Sequence, residues 1–241
     1  MTTLVVGANG ATGRLLVEQL LAQGEAVKII VRSTDVLSDQ LKQNERLRVT
    51  KASLLDMTDE ALKTQVQGCH AVVSCLGHNL TLKGMFGHPR RLVTDAVQRL
   101  CLAIESTAPE VPVKFILMNT TGNVNKQAHE TISKRQSIVL SLIRHLVSPH
   151  ADNEQAAAYL QTNIGLHKKL IEWAAVRPDS LIDQASVTEY EVYASPIRSA
   201  IFDAGKTSRI NVAHFMSQLI VNDSKWQEWE GQMPVIYNAD C

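Results

Sequence analysis

The stretch TTLVVGANGATGRLLVEQLLAQ, residues 2–23, decides the fold. Its first five residues are β-branched or apolar, its middle is Gly7-Ala8-Asn9-Gly10-Ala11-Thr12-Gly13, and its remainder repeats Leu and Val at helical spacing. A buried strand over Thr3–Val6 that runs at once into a helix over Thr12–Ala22 needs a tight turn, which glycine enters without steric cost. Those glycines also let the backbone approach a pyrophosphate closely, and the free N–H groups at the helix start supply anion donors. Thr12 and Arg14 add polar reach. A plain strand-to-helix turn is the competing account. The buried strand on one side and the amphipathic helix on the other favour the binding loop.

Outward from the loop the same rhythm repeats. Apolar runs at Ala26–Val31, Leu47–Lys51, Ala71–Cys75, Val113–Met118 and Leu170–Val176 predict further strands buried on both faces of a parallel sheet. Helices are expected over Asp59–Val66, Arg90–Glu105 and Gln127–Val147, the last from an apolar stripe at Ala128, Ile132, Val139, Ile143 and Leu146. Asp152 is expected to cap a short helix that Gly165 ends. Alternation of strand and helix predicts an α/β, Rossmann-like, doubly wound parallel sheet. Arg177 and Pro178 are expected to stop regular structure. Residues 178–241 then offer a strand in YEVYA, a helix opening at Asn211 and a strand in MPVIY, too little for an independent core. The chain 1–241 is therefore read as one nucleotide-binding domain, with 178–241 a small C-terminal lobe packed on the sheet on the substrate side.

The end of the second strand chooses the cofactor. An acid there holds the ribose 2′-hydroxyl of NAD, whereas an arginine accommodates the 2′-phosphate of NADP. Here the strand VKIIV ends in Arg32-Ser33, which predicts NADP(H), with Arg32 on the phosphate and Ser33 assisting. A solvated arginine at a strand end is the alternative.

Composition narrows the function. The 241 residues carry 24 Lys plus Arg against 24 Asp plus Glu, a net charge of zero that argues against a nucleic-acid binder. No apolar stretch approaches the roughly 20 residues that span a bilayer, and the start does not read as a signal peptide. A cytoplasmic protein with a small-molecule substrate, no membrane or nucleic-acid partner, and a monomeric or homodimeric state is expected. Four cysteines in a chain of this length make no disulfide framework; Cys69 and Cys75 fall on one predicted strand, too far apart to bridge. Eight histidines lack H-E-x-x-H spacing and no Cys pair has C-x-x-C spacing, so no metal site is expected.

The G-x-x-G-x-x-G loop, Arg32, VVSCLG on the fourth strand and VRPDSLIDQ on a later one resemble the atypical short-chain dehydrogenase/reductase superfamily, within it the NAD(P)H-binding, NmrA-like group that includes flavin-reducing enzymes. The resemblance implies an oxidoreductase in which Gly7, Asn9, Gly10, Ala11, Thr12 and Gly13 surround the pyrophosphate and Cys75, Leu76 and Gly77 form the strand end over which the dinucleotide passes. It places Asn119, Thr120 and Thr121 beside the nicotinamide and Pro178 behind it, with Asp179 and Ser180 following. The adenine contact falls to Ser53 and Leu54, Ser53 standing where the family commonly has an acid.

Most active short-chain dehydrogenases carry Tyr-x-x-x-Lys on the helix after the fifth strand, so that lysine lowers the tyrosine pKa and the phenol protonates an alkoxide. Four residues after Tyr159, Tyr190, Tyr193 and Tyr237 stand Asn163, Ala194, Ile197 and Cys241, none a lysine. Two classes of function remain. One is an NADPH-dependent reductase of a flavin-like, quinone-like or tetrapyrrole-like acceptor, which stabilises its own reduced anion; Thr120 then orients nicotinamide or substrate, and Ser180 or His78 lines the acceptor pocket. The other is a noncatalytic NADPH sensor of the NmrA type.

Several features stay open at this level. His78 and Asn79 are either pocket residues or a polar loop start. The basic run TLKGMFGHPRR, with Lys83, His88, Arg90 and Arg91, is either a loop closing over an anionic substrate or a solvated connection. Lys168 falls in a predicted turn and is a poor substitute for the missing lysine. Trp226 and Trp229, three apart, suit packing or a subunit contact, and residues 127–163 either cover the substrate or form a dimer face.

Overall fold

The computed structural model describes every residue except 79–88, 126, 132, 147, 167–168 and 240–241. Asn79, Lys83, His88, Lys168 and Cys241 therefore lie outside the described residues.

Ten strands and eight α-helices are described. β1 (Thr2–Val6), β2 (Ala26–Val31), β3 (Leu47–Lys51), β4 (Ala71–Ser74), β5 (Val113–Met118) and β6 (Ile171–Pro178) stand in the order β3-β2-β1-β4-β5-β6, all parallel. β10 (Val235–Asn238) pairs parallel with β6, and β8 (Tyr190–Tyr193) closes the sheet antiparallel to β10. The reversal of order between β1 and β4 opens a crevice at their carboxyl ends, where ligands bind in such sheets.

Alternation along each strand feeds two cores. Leu4 and Val6, with Val72, Phe115 and Leu117, face the layer of α3 (Asp59–Val66), α4 (Leu92–Thr107) and α6 (Ser148–Tyr159). Val5, with Val73 and Ile116, faces α1 (Ala11–Ala22), α7 (Arg209–Val221) and α8 (Asp223–Trp229). All of these strand residues are at most 1% exposed, which is why their sequences read as nearly continuous apolar runs.

Several boundaries move from the sequence expectation. β6 continues through Arg177 and Pro178 rather than stopping before them. The expected helix over Gln127–Val147 begins only at Lys134, as α5 (Lys134–Leu146); residues 127–129 form a turn, with His129 at a φ of +53°. Asp152 lies inside α6 rather than at its cap, and a π-helical turn over Leu160–Ile164 follows, ended by Gly165 at a φ of +62°. Ser208, not Asn211, caps α7, its hydroxyl accepting from Asn211 N at 3.2 Å. A four-residue helix, α2 (Asp39–Lys42), and the short parallel pair β7 (Ser180–Ile182) and β9 (Lys206–Ser208) have no counterpart in the sequence reading. Cys69 and Cys75 flank β4 rather than lying on it, and no disulfide joins Cys69, Cys75 and Cys101 among the described residues.

Residues 178–241 divide between two places. β8, β10, α7 and α8 extend the main sheet and one helix layer, while β7, β9 and the 194–205 segment stand beyond the carboxyl ends of β5 and β6. Trp226 and Trp229 are packing residues, Trp229 meeting Phe215 edge to face with ring centroids 6.3 Å apart. No helix among the described residues is long and apolar enough to cross a membrane.

Candidate functional site

At the crevice, Gly7 takes a φ of +80°, and a Cβ there would lie 2.5 Å from the Cys75 carbonyl carbon and oxygen. A Cβ on Gly13 would collide with the Gly7 carbonyl oxygen. Both positions demand glycine, one for the turn against β4 and one for the helix packing onto its own loop. Gly10 N donates to Gly7 O at 2.9 Å and completes the turn. Gly10 then stands as the N-cap of α1 with no side-chain cap, and no acid occupies the first helical turn. The leading N–H groups of a twelve-residue helix are thus left for an external anion, with exposed Asn9, Gly10 and Ala11 around them. Beyond β4, Gly77 is exposed, and a Cβ there would meet none of the described residues within 4 Å. Burial pushes the Cys75 thiol up to about 12, which keeps it uncharged.

Arg32 follows β2 directly, is exposed, and has no ion-pair partner among the described residues. Asn9 Nδ2 donates to Ser33 O at 2.7 Å and so ties the glycine loop to the segment bearing Arg32. The Ser33 hydroxyl is engaged locally: it donates to Asp35 Oδ2 at 2.7 Å and accepts from Asp35 N at 3.1 Å. Ser53 precedes a one-turn 3-10 helix, half-buried and without a capping bond. The Leu54 side chain is buried in the core and its carbonyl accepts from Arg99 Nη1 at 3.2 Å, so it presents little to a ligand.

The ends of β5 and β6 are joined by Thr121 N donating to Pro178 O at 3.1 Å, which brings Thr120 and Pro178 to one edge. Asn119 turns inward: its Nδ2 donates to Asn153 O at 3.0 Å and its Oδ1 accepts from Thr120 N at 2.8 Å. The Thr120 hydroxyl accepts from Gly122 N at 3.3 Å and keeps its own proton to give. Asp179 accepts from Gly205 N at 3.0 Å, and burial raises its pKa. Ser180 is exposed at the start of β7 and its N–H donates to Gly205 O at 3.2 Å, which carries it toward β9 and out of the sheet.

His78 is engaged rather than free. Its side chain is only 4% exposed, and Nε2 lies 2.7 Å from Asp152 Oδ2. Asp152 also accepts from Val93 N at 2.8 Å, Thr94 N at 2.9 Å and Thr94 Oγ1 at 2.6 Å. The α4 cap residue, Arg91, provides no capping bond of its own, so a carboxylate from α6 caps α4 and clamps His78.

Beyond the carboxyl ends of β5 and β6 a cleft of about 680 Å³ lies between residues 121–136 and 195–203, with Thr121, Val124, His129, Ile197, Arg198 and Phe202 among its walls. Arg177 holds that wall from behind. Its guanidinium is fully buried and spends all five N–H groups, on Glu130 Oε1 and Oε2 and on the carbonyls of Met233, Asn123 and Ala194. Sequence reasoning alone misses Asp152, Glu130 and Arg177 as site-forming residues; a charge late in the otherwise apolar stretch WAAVRP is the available signal for Arg177. Among the described residues no three His, Cys, Asp or Glu side chains group as a metal site.

Comparison with known proteins gives a consistent picture. A family model described as NAD(P)H-binding matches residues 7–223. An uncharacterized chloroplastic protein of Arabidopsis thaliana, At2g34460, is 33% identical over 73 residues, 30% of this chain and 26% of the relative, so the chain matches about a quarter of that protein's length. Among solved structures, the anaerobillin reductase ChuY of Escherichia coli O157:H7 superposes with a TM-score of 0.68 at 17% identity, covering 100% of this chain and 98% of that one. The oxidoreductase ylbE of Lactococcus lactis gives 0.69 at 16%, covering 99% and 91%. A short-chain dehydrogenase/reductase of Veillonella parvula in complex with NADP gives 0.65 at 14%, covering 99% and 94%. At these identities the structural likeness shows the Rossmann-like fold.

Proposed function

The chain belongs to the NAD(P)H-binding family, whose model spans residues 7–223, and on that premise we propose that it binds NADPH and reduces a conjugated acceptor of flavin, quinone or tetrapyrrole type. The observation that carries the reading is the pairing of an uncapped, acid-free N-terminus on α1 with an exposed Arg32 one strand away, linked by the Asn9 to Ser33 bond. Helix N–H groups hold a pyrophosphate there, and Arg32 holds a 2′-phosphate. Gly7, Gly10, Ala11, Thr12 and Gly13 line the phosphate path, Cys75, Leu76 and Gly77 the floor beyond it, and Ser53 the adenine side.

The bound nicotinamide supplies hydride. The chain supplies position: Thr120 gives its free hydroxyl proton to a carboxamide or acceptor oxygen, and Pro178 backs the ring from the end of β6. Asn119 and His78 serve as supports, since Asn119 bonds Asn153 and His78 bonds Asp152. The 680 Å³ cleft, walled by part of the 178–241 segment, receives the acceptor; Ser180 is not among the residues that line it. A conjugated acceptor fits a chain without Tyr-x-x-x-Lys because it delocalises the incoming charge.

The test is an NADPH-oxidation screen with flavins, quinones and carbonyl compounds on protein that a thermal-shift titration finds able to bind NADPH. Turnover with a conjugated acceptor is expected. Binding without turnover of any acceptor overturns the reductase reading and supports the NADPH sensor.

A further inference from the structure

The helix that leads into β6 carries no Tyr-Lys pair, but its opening turns hold another proton-handling pair, His150 and Glu154, four residues apart on α6. His150 stands over the end of β5. The Cβ that Gly122 lacks would lie 3.2 Å from His150 Cε1, 3.6 Å from Nδ1 and 3.7 Å from Thr120 Oγ1, so the imidazole edge and the Thr120 hydroxyl flank the same buried glycine. Gly122 is buried, and a side chain there would press on the imidazole, so glycine is what lets His150 lie this close to the end of β5. On the opposite edge of the ring, Nε2 lies 3.4 Å from Glu154 Oε1; the His150 side chain is 10% exposed and Nε2 finds no hydrogen-bond partner among the described residues. Two residues further along, Asp152 fixes this turn of α6 to α4 and His78.

From this geometry we infer that His150, oriented by Glu154, is a catalytic proton donor placed beside the Thr120 hydroxyl. An acid that holds one imidazole nitrogen while the other faces the reaction is a workable proton-transfer arrangement, and such bonds are commonly long before substrate binds. The inference rests on the reductase reading and extends its substrate class. With a proton donor in place, acceptors whose reduced form is a more basic, less widely delocalised anion, such as the enolate of an α,β-unsaturated aldehyde or ketone, become substrates as well. Hydride adds to the electrophilic carbon, the π pair moves to the acceptor oxygen, and that oxygen takes the proton from Nδ1 of the imidazolium. The reductant leaves as the oxidised nicotinamide, and solvent returns a proton to the neutral imidazole.

The test uses the full chain with His150→Ala, His150→Gln and Glu154→Gln. Both His150 variants are expected to keep the NADPH thermal shift while kcat for a conjugated carbonyl acceptor falls roughly 100-fold or more, the usual range for a lost general acid. The loss is expected to be small for flavin and quinone acceptors, free imidazole is expected to restore part of the rate of His150→Ala, and Glu154→Gln should lower kcat without raising KM for NADPH. Equal kcat in wild type and both His150 variants overturns the inference. A readout apart from turnover separates it from the reductase reading: in protein with ¹³C-labelled histidine, NADP⁺ is expected to shift the His150 ring signal and leave that of His70 in place. An unmoved His150 signal overturns the assignment whether or not any acceptor is reduced, and absence of turnover with a moved signal overturns the reductase reading alone.

Discussion

Asp152 of α6 accepts the imidazole of His78 at 2.7 Å, a contact across 74 residues of sequence that locks the end of β4 to the start of α4. Removing the carboxylate strands the backbone donors of Val93 and Thr94 together with His78 in a buried place. Asp152→Ala is expected to cost at least ~2 kcal/mol, because each buried donor left unpaired costs about 1–3 kcal/mol. Urea unfolding checks this, and His78→Gln should cost much less, since Asp152 then keeps its α4 bonds. Equal losses in the two variants would mean that the imidazole, not the helix cap, is the main role of Asp152.

The buried Arg177–Glu130 pair yields a second expectation. Glu130→Ala leaves a fully desolvated guanidinium with only carbonyl partners, and breaking such a pair costs roughly 3–5 kcal/mol. The contrast is Arg198 with Asp203, a pair at the surface whose acid is 63% exposed. Solvent screens that pair and its long side chains lose entropy in making it, so Asp203→Ala is expected to leave stability nearly unchanged. Denaturant midpoints of the two variants measure the difference, and similar midpoints would contradict it.

Stability is expected to fall as pH drops below about 6.5. Burial lowers the pKa of His70, against the raising effect of its bond to the Thr2 carbonyl, and burial lowers that of His214. Both stay neutral in the fold at pH values where the unfolded chain already takes up protons, so their contribution is complete above the unfolded value and lost on the way down to the folded ones. Asp179, raised by burial, acts in the opposite sense at lower pH, since the fold then takes a proton first. Unfolding midpoints at about pH 7.5 and about pH 5.5, on either side of the ordinary histidine value, should differ less in a His70→Gln, His214→Gln double variant than in wild type. An unchanged difference would contradict the assignment.

What the sequence makes legible is local. The glycine spacing, the apolar run before it and the stripe after it are set within residues 2–23, and Thr2–Val6 and Ala11–Ala22 fold within a residue of expectation. The exceptions depend on distant partners. Arg177 continues a buried strand because Glu130 neutralises it from 47 residues away. Asp152 has the residue type of a cap and is one, but for a helix 58 residues earlier. The stripe at Ala128 and Ile132 suggests helix, yet Glu130 is drawn off by Asn125 N at 2.7 Å and by Arg177, and the helix waits until Lys134. His150 has no sequence signature, being a histidine on a polar helix start; only its packing against Gly122 in the fold brings it near Thr120.

Cofactor preference tests the central claim most directly. Isothermal titration of wild type and Arg32→Ala with NADPH and NADH should find NADPH bound at least ~10-fold tighter by wild type, with the preference lost in the variant and NADH affinity little changed, since one bond to a charged group is worth about 1.5–3 kcal/mol. NADH bound as tightly as NADPH by wild type, or an unaltered preference in Arg32→Ala, would contradict the account.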